Sequence, residues 1–221
     1  MVELLAPAGS PEAVTAAVQS GANAVYLSFE DLTGCRRTEN IPNSEFESVV
    51  RYCRIRGCRA YLALNIPVRE DELNKAAGLA LRAQRCGVDA IIGSHSHLVG
   101  RMETMDITTD DGKEKTCFVA YSLGNFFSSQ SSSYASGCEE SVILNLQFTK
   151  NGETGETALT NVSYTPLYLL DSGKDADGSR YEILPIRTAI ASGLFPKETD
   201  RLTNAISRLR TRTESDFDSG K

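Results

Sequence analysis

The sequence has no tryptophan, only two histidines and no long apolar run. A membrane-spanning helix needs roughly 20 consecutive apolar residues, so we expect no membrane segment. A basic excess is also missing, because 23 Lys and Arg stand against 29 Asp and Glu for a net charge of −6. This balance argues against a nucleic-acid partner, which requires clustered cations. No basic region precedes the first proline, so we expect no signal peptide and a cytoplasmic protein.

The cysteines do not form a metal-binding pattern. The sequence has six of them, but none lies in a C-x-x-C pair. Disulfide frameworks are typical of short secreted chains, whereas this chain is long and we expect no export signal. We therefore expect reduced and mostly buried thiols, and neither a metal nor an iron–sulfur site built from cysteine alone.

The charges divide the sequence into two parts. Residues 1–88 carry ten basic and ten acidic side chains, whereas residues 89–221 carry thirteen and nineteen. The whole acidic excess thus lies in the second part, which suggests that the parts have different origins. We therefore predict one domain over residues 1–88 and another over residues 89–221.

The first part alternates short apolar runs with helical patterns. Ser10 and Pro11 are typical of a helix start, and Gly21 and Gly57 are typical of helix ends. The pattern predicts strands at 3–6, 24–28, 59–65 and 88–92, and helices at 12–20, 45–57 and 71–86. Continuous apolar strands alternating with helices indicate an α/β fold whose parallel sheet is buried on both faces.

The second part is richer in antiparallel strands. Apolar and polar residues alternate over 141–149, which is typical of a half-exposed strand, and Asn151-Gly152 marks a turn. The pattern predicts strands at 118–123, 141–149, 158–168 and 181–186, and an amphipathic helix at 199–213. A Ser-rich loop covers 128–136, and we expect the polar tail after Glu214 to fray.

Three segments of the first part resemble the start of the peptidase U32 (collagenase-like) family. They are Leu4-Leu5-Ala6-Pro7-Ala8-Gly9-Ser10, Gly21 to Leu27, and Gly57 to Asn65. The resemblance covers roughly residues 1–88 and implies three βα units of a TIM-barrel-like domain. It also implies protease or nucleic-acid-modifying chemistry. The Cys-bearing signature and the later strands of that family are absent, so the barrel is expected to be partial.

From about residue 87 to residue 218 the chain resembles the CapA family of poly-γ-glutamate capsule synthesis. The matching segments are Gly93-Ser94-His95-Ser96-His97, Tyr121 to Phe126, Val162 to Pro166, and Ile183 to Arg187. The resemblance implies the C-terminal half of a metallophosphatase-like α/β sandwich. The upstream metal-binding motifs of that family are missing. We therefore predict a composite chain whose junction lies between Lys75 and Gly93.

His95 and His97 follow a predicted buried strand, where α/β sheets hold ligands. Two residues apart in an extended segment, they would project to the same side. We predict both as catalytic residues and as ligands of Mn, Zn or Fe. Two imidazoles are too few for a complete site, so binding is expected to be weak. Asn125 could orient a phosphate or another ligand group, or it could simply end a strand in a turn.

Four further residues could contact a substrate at the mouth of the partial barrel. Arg36, Arg37 and Asn40 lie in the second βα loop, and Asn65 ends the third strand. The alternative is that they are polar side chains on a solvated loop. The substrate implied by the two resemblances is a polyanion or a peptide.

The sequence leaves three functions open. The main prediction is a CapA-like protein of capsule synthesis with metal-dependent hydrolase ancestry, incomplete and inactive in this chain. The first alternative is a U32-type protease or nucleic-acid-modifying protein. The second is a truncated composite without enzymatic activity, which would self-associate through an exposed sheet edge.

Overall fold

The computed structural model describes residues 3–28, 41–63, 78, 81–84, 87–94, 96–110, 112–155, 157–173 and 180–220. The chain divides into two compact units, Met1–Cys86 and Gly87–Lys221. Each unit has its own hydrophobic core, and no described residue belongs to both cores.

Within the described ranges, the first unit includes a three-stranded parallel sheet and two helices whose bounds are defined, and residues 81–84 are also helical. The strands are β1 (Leu5–Pro7), β2 (Ala24–Ser28) and β3 (Arg59–Ala63), in the order β1-β2-β3. The helices are α1 (Pro11–Gln19) and α2 (Phe46–Ile55). As the sequence predicts, Ser10 caps α1, because its side chain accepts a hydrogen bond from the Ala13 N–H.

The two faces of this sheet differ in burial. Val25 and Leu27 are fully buried in the core that includes residues of both helices. Leu5, Tyr26 and Tyr61 are each more than 40% exposed on the opposite face. The prediction of a sheet buried on both faces is therefore wrong for the described strands, which do not close into a barrel.

The four described cysteines, Cys53, Cys58, Cys117 and Cys138, are free and buried. Burial raises the pKa of both Cys53 and Cys117 to about 11. Because the thiolate is the reactive form, these thiols are poor nucleophiles at neutral pH. They fill the cores, as the sequence predicts.

Two small sheets lie in the described part of the second unit. In the first, β4 (Ala90–Ile92) runs parallel to β6 (Glu114–Ala120), and β5 (Met102–Thr108) lies antiparallel on the other side of β6. In the second, β7 (Glu140–Lys150), β8 (Thr157–Asp171) and β9 (Tyr181–Pro185) form an antiparallel meander. Helices α3 (Ile186–Ser192) and α4 (Thr199–Thr213) follow.

The core of the second unit is built from β6, β8 and α4. Phe118 and Tyr164 are fully buried and pack with Leu202 and Leu209, which lie on one stripe of α4. The chain after α4 does not fray. The Tyr164 N–H donates to the Phe217 carbonyl at 2.7 Å, so residues 217–219 dock beside β8.

The architecture is thus mixed α/β with several small sheets. Neither a TIM-barrel-like nor a metallophosphatase-like arrangement is confirmed in the described part of the chain. In that part, no helix has the length and apolar character needed to cross a membrane.

Candidate functional site

The candidate site lies in the second unit, where the chain leaves β4. The Gly93 N–H donates to the Ala120 carbonyl at 2.7 Å, and the Gly100 N–H donates to the Ser122 carbonyl at 3.0 Å. A Cβ atom on Gly93 would overlap the Tyr121 carbonyl group. Glycine is therefore required at position 93, because the loop runs directly against the end of β6.

His97 has a left-handed backbone conformation, with φ of 60°. Residues 96–98 form bends rather than a continuation of the strand. The extended geometry predicted for the H-x-H segment is therefore wrong at His97. Residues other than glycine rarely adopt this backbone conformation unless the surrounding structure holds them in it. Backbone strain of this kind is concentrated at functional sites.

The His97 ring contacts Asn125. The distance from His97 Nδ1 to Asn125 Oδ1 is 2.7 Å. Asn125 Nδ2 donates to the Cys138 carbonyl at 3.1 Å and to Gln130 Oε1 at 3.4 Å. Two acceptors therefore fix the orientation of the amide, and its oxygen faces the ring.

This contact selects one tautomer of His97. An amide oxygen only accepts hydrogen bonds, so Nδ1 must carry the proton. In the neutral ring Nε2 then bears the lone pair and is the basic nitrogen. The side chain of Asn125 thereby orients His97. Its predicted contact with a phosphate or another ligand group stays a prediction.

Backbone pairing on both sides places Asn125. Val99 bridges Leu123, and Gly124 bridges Ser141. Gly124 has φ of +76°, and a Cβ atom there would lie 2.6 Å from the Glu140 carbonyl oxygen. Glycine is required at this turn for both reasons, and Asn125 follows it as a buried side chain.

A buried carboxylate supports the loop that holds Asn125. Glu140 is fully buried, and its two oxygens bind Arg208 at 2.5 Å and Arg212 at 3.0 Å. Arg212 also donates to the Ser136 carbonyl at 2.5 Å. Residues 136–140 are therefore tied to α4, and this segment includes the Cys138 carbonyl that binds Asn125.

Sequence reasoning missed this support. Glu140 directly precedes the strand predicted at 141–149, where it resembles an ordinary polar residue. The available signal was the spacing of Arg208 and Arg212, four residues apart on one face of an amphipathic helix. Gln130 lies within the Ser-rich loop, and nothing in the sequence distinguishes it.

The described residues do not fit a metal ion by themselves. No group of three or more His, Cys, Asp or Glu side chains is placed to hold one, within the ranges that the structure describes. Asp89, before β4, pairs with Lys115 at 2.8 Å. His95 lies outside the described residues, so the predicted pairing of His95 and His97 as metal ligands stays a prediction.

The predicted substrate contacts Arg36, Arg37, Asn40 and Asn65 also lie outside the described residues. Their role stays a prediction. Of the predicted site residues, the structure brings together His97 and Asn125, which are 28 positions apart in the sequence.

A comparison with protein families matches residues 9–107 to the model of Peptidase family U32. The match continues past the predicted boundary at residue 88 and includes His97. It agrees with the first resemblance, and no comparison supports the predicted resemblance of the C-terminal part to CapA proteins.

Two curated proteins are similar to this chain. A collagenase of Porphyromonas gingivalis is 30% identical over 93 residues, which is 42% of this chain and 22% of that protein. An uncharacterized protease of Methanocaldococcus jannaschii is 28% identical over 151 residues, which is 68% of this chain and 35% of that protein. No solved structure matches the chain significantly. The chain therefore spans about a fifth to a third of these relatives, and its similarity to peptidase family U32 rests on residues 9–107.

Proposed function

We propose that this chain acts in U32-type proteolysis, the hydrolysis of peptide bonds in protein substrates. The observation that carries the proposal is the match of residues 9–107 to Peptidase family U32. The two similar curated proteins, a collagenase and an uncharacterized protease, support the same class of reaction. The chain covers only 22% and 35% of these relatives, so their activity enters here as a proposal.

His97 is the proposed general base. Asn125 holds its Nδ1 proton, so Nε2 is the nitrogen that accepts a proton from a water molecule attacking the peptide carbonyl. The same nitrogen would return that proton to the departing amine. Since the described residues do not form a metal-binding set, no step is assigned to a metal ion.

The test is cleavage of gelatin and casein by the purified full chain, followed by electrophoresis and mass spectrometry of the products. We expect His97→Ala to lower the rate at least about 100-fold, since positioned acid–base groups contribute about 10²–10⁴-fold. Asn125→Ala should retain part of the activity. Asn145→Ala is the matched control, because Asn145 is an exposed residue on β7.

If the His97→Ala variant cleaves the substrates at the wild-type rate, His97 is not part of the mechanism. No cleavage by the wild-type chain would overturn the peptidase proposal and favour the alternative of a composite without enzymatic activity. Metal content is measured in parallel after dialysis against Mn, Zn and Fe. Weak binding at His95 and His97, which stays a prediction, would be lost in His97→Ala.

A further inference from the structure

A polar pocket lies beside the candidate site, within the second unit. Its volume is about 150 Å³. The Ser-rich loop forms one wall and strands β8 and β9 form much of the rest. The lining residues are Ser128, Ser129, Gln130, Ser131, Glu139, Tyr168, Leu169, Asp171, Arg180, Tyr181 and Arg201.

The charges of this pocket are balanced and largely paired. Arg180 forms a two-pronged contact with Asp171, with distances of 2.8 and 2.6 Å. Arg201 pairs with Glu198 at 3.0 Å. Glu139 accepts the Ser132 N–H at 2.6 Å. Each arginine of the pocket thus has a carboxylate beside it, which neutralises its positive charge. Such a pocket disfavours a phosphate or sulfate, because an anion binds to cationic donors that are not already paired with carboxylates.

The loop wall presents hydroxyl groups in a fixed arrangement. The Gln130 N–H donates to Ser128 Oγ at 3.1 Å, and the hydroxyls of Ser131 and Ser133 lie 2.8 Å apart. A serine hydroxyl that accepts one hydrogen bond can still donate another. The wall therefore offers both donors and acceptors to an uncharged polar ligand.

The rim adds an aromatic surface. The rings of Phe127 and Tyr181 meet edge to face with centroids 6.0 Å apart, and Phe127 is 65% exposed. The Arg180 guanidinium lies 5.1 Å from the Tyr181 ring centre. An apolar ring surface beside paired polar groups suits a ligand with C–H faces and hydroxyl edges.

We propose that this pocket binds one ring of a neutral sugar. A pyranose carries neighbouring hydroxyl groups, each of which can both donate and accept hydrogen bonds. They can donate to the carboxylates of Asp171 or Glu139. They can also accept from the guanidinium groups of Arg180 or Arg201, so one ligand binds both kinds of charged group. Its apolar face packs on the aromatic rim. The proposal does not depend on peptidase activity. Gln130 lines the pocket and accepts from Asn125, so a bound sugar lies next to the residues that orient His97.

The test uses the full chain with D-glucose, D-galactose and N-acetyl-D-glucosamine, each followed by saturation-transfer NMR and calorimetric titration. Asp171→Asn should weaken binding of the preferred sugar about tenfold, which corresponds to losing one hydrogen bond to a charged group. Asp106→Asn is the matched control, since Asp106 is an exposed carboxylate on β5 that binds Thr116 outside the pocket.

Ser129→Tyr is a second variant, because the exposed Ser129 can accept a larger side chain that fills the pocket without disturbing the core. It should abolish sugar binding while the thermal unfolding midpoint stays unchanged. Three results would overturn the proposal. They are no binding of any of the three sugars, binding that both pocket variants leave intact, and displacement of the sugar by inorganic phosphate.

Discussion

The His97 imidazole contacts Asn125, whose own orientation is fixed. Asn125 cannot turn its amide without losing the Cys138 carbonyl and Gln130. The Nδ1–H tautomer therefore follows from hydrogen bonding rather than from the ring itself. Without such a partner, neutral histidine tends to carry its proton on Nε2, so the tautomer reports whether the contact exists.

We predict that His97 carries its proton on Nδ1 at pH 8.5 in the wild-type chain and shifts toward the Nε2–H form in Asn125→Ala. The measurement is a long-range ¹H–¹⁵N correlation spectrum of the imidazoles. Only two histidines contribute signals, and His95→Ala assigns them. Asn145→Ala should leave the spectrum unchanged. An Nε2–H signal for His97 in the wild type would contradict the geometry.

Asp218 is a second residue whose surroundings determine its ionisation, because they lower the pKa of its carboxyl group. Burial by itself raises its pKa, but hydrogen bonds and charge from Arg187, the Gly220 N–H and Arg210 outweigh burial, so the pKa lies below its usual value. Its side chain is 1% exposed, and Arg210 Nε lies 3.1 Å from Oδ2. The ionised carboxylate therefore stabilises the fold.

We predict that Asp218→Asn lowers the free energy of unfolding by about 1–3 kcal/mol at pH 7. The contribution of ionised Asp218 is present above its unfolded-state pKa of roughly 4. It is lost as the pH falls through the lower folded-state pKa. The difference between wild type and variant should therefore shrink below pH 4 in urea titrations. Asp106→Asn should cost little at any pH, and a difference for Asp218→Asn that stays constant with pH would refute the account.

Helix α4 shows how an element ties separate parts of the second unit together. Its apolar stripe enters the core through Leu202 and Leu209, while Arg208 and Arg212 bind Glu140. A buried carboxylate that loses its arginine partners is left as an unpaired charge. The resulting loss in free energy of unfolding is far larger than the contribution of an exposed ion pair. The helix therefore stabilises the Asn125 loop as well as the core.

We predict that the double variant Arg208→Met and Arg212→Met lowers the free energy of unfolding of the second unit by about 3–5 kcal/mol. Arg201→Met on the same helix should cost less than about 1 kcal/mol, because Arg201 is exposed and its partner Glu198 is only half-buried. Urea unfolding measured by far-ultraviolet circular dichroism compares the two variants. Equal costs would contradict the role assigned to burial.

Sequence patterns located the elements that have local signals. The Ser10-Pro11 start identified α1, and the alternation over 141–149 identified β7. Helix α3 directly follows Pro185 and has no side-chain cap, so the local sequence did not predict this helix. Strand β5 is mostly exposed and lacks the apolar run that marked β4 and β6.

The candidate site was predicted only as separate residues. His97 and Asn125 were each identified, but their contact depends on the bridges between Val99 and Leu123 and between Gly124 and Ser141. Such long-range pairings are set by packing of the whole unit and leave no local trace. The docking of residues 217–219 beside β8 was missed for the same reason.

The part of the chain that the structure describes contains two cores that are separate in sequence. The first includes Val25, Leu27 and Phe46, and the second includes Phe118 and Tyr164. The family match runs across the boundary between the units, from residue 9 to residue 107. Similarity in sequence therefore extends over two bodies that each bury their own apolar side chains. Cooperativity of unfolding follows buried contacts rather than sequence similarity.

We predict that each unit unfolds as its own cooperative body. Leu27 and Leu202 are 2% and 0% exposed, so a Leu→Ala change at either position should cost about 2–5 kcal/mol in its own core. Leu27→Ala should speed amide hydrogen exchange in residues 3–28 and 41–63 and leave residues 114–155 and 157–171 unchanged. Leu202→Ala should do the reverse.

Hydrogen exchange followed by mass spectrometry separates these segments in the full chain, so neither unit has to be isolated. Leu194→Ala is the matched control, because Leu194 is 76% exposed and its loss should change exchange in neither unit. If Leu27→Ala also accelerated exchange in β7 and β8, the chain would unfold as one cooperative body despite its two cores. Independent responses would instead mean that the U32-like segment and the antiparallel sheet are stabilised separately, because neither core supplies contacts that the other needs.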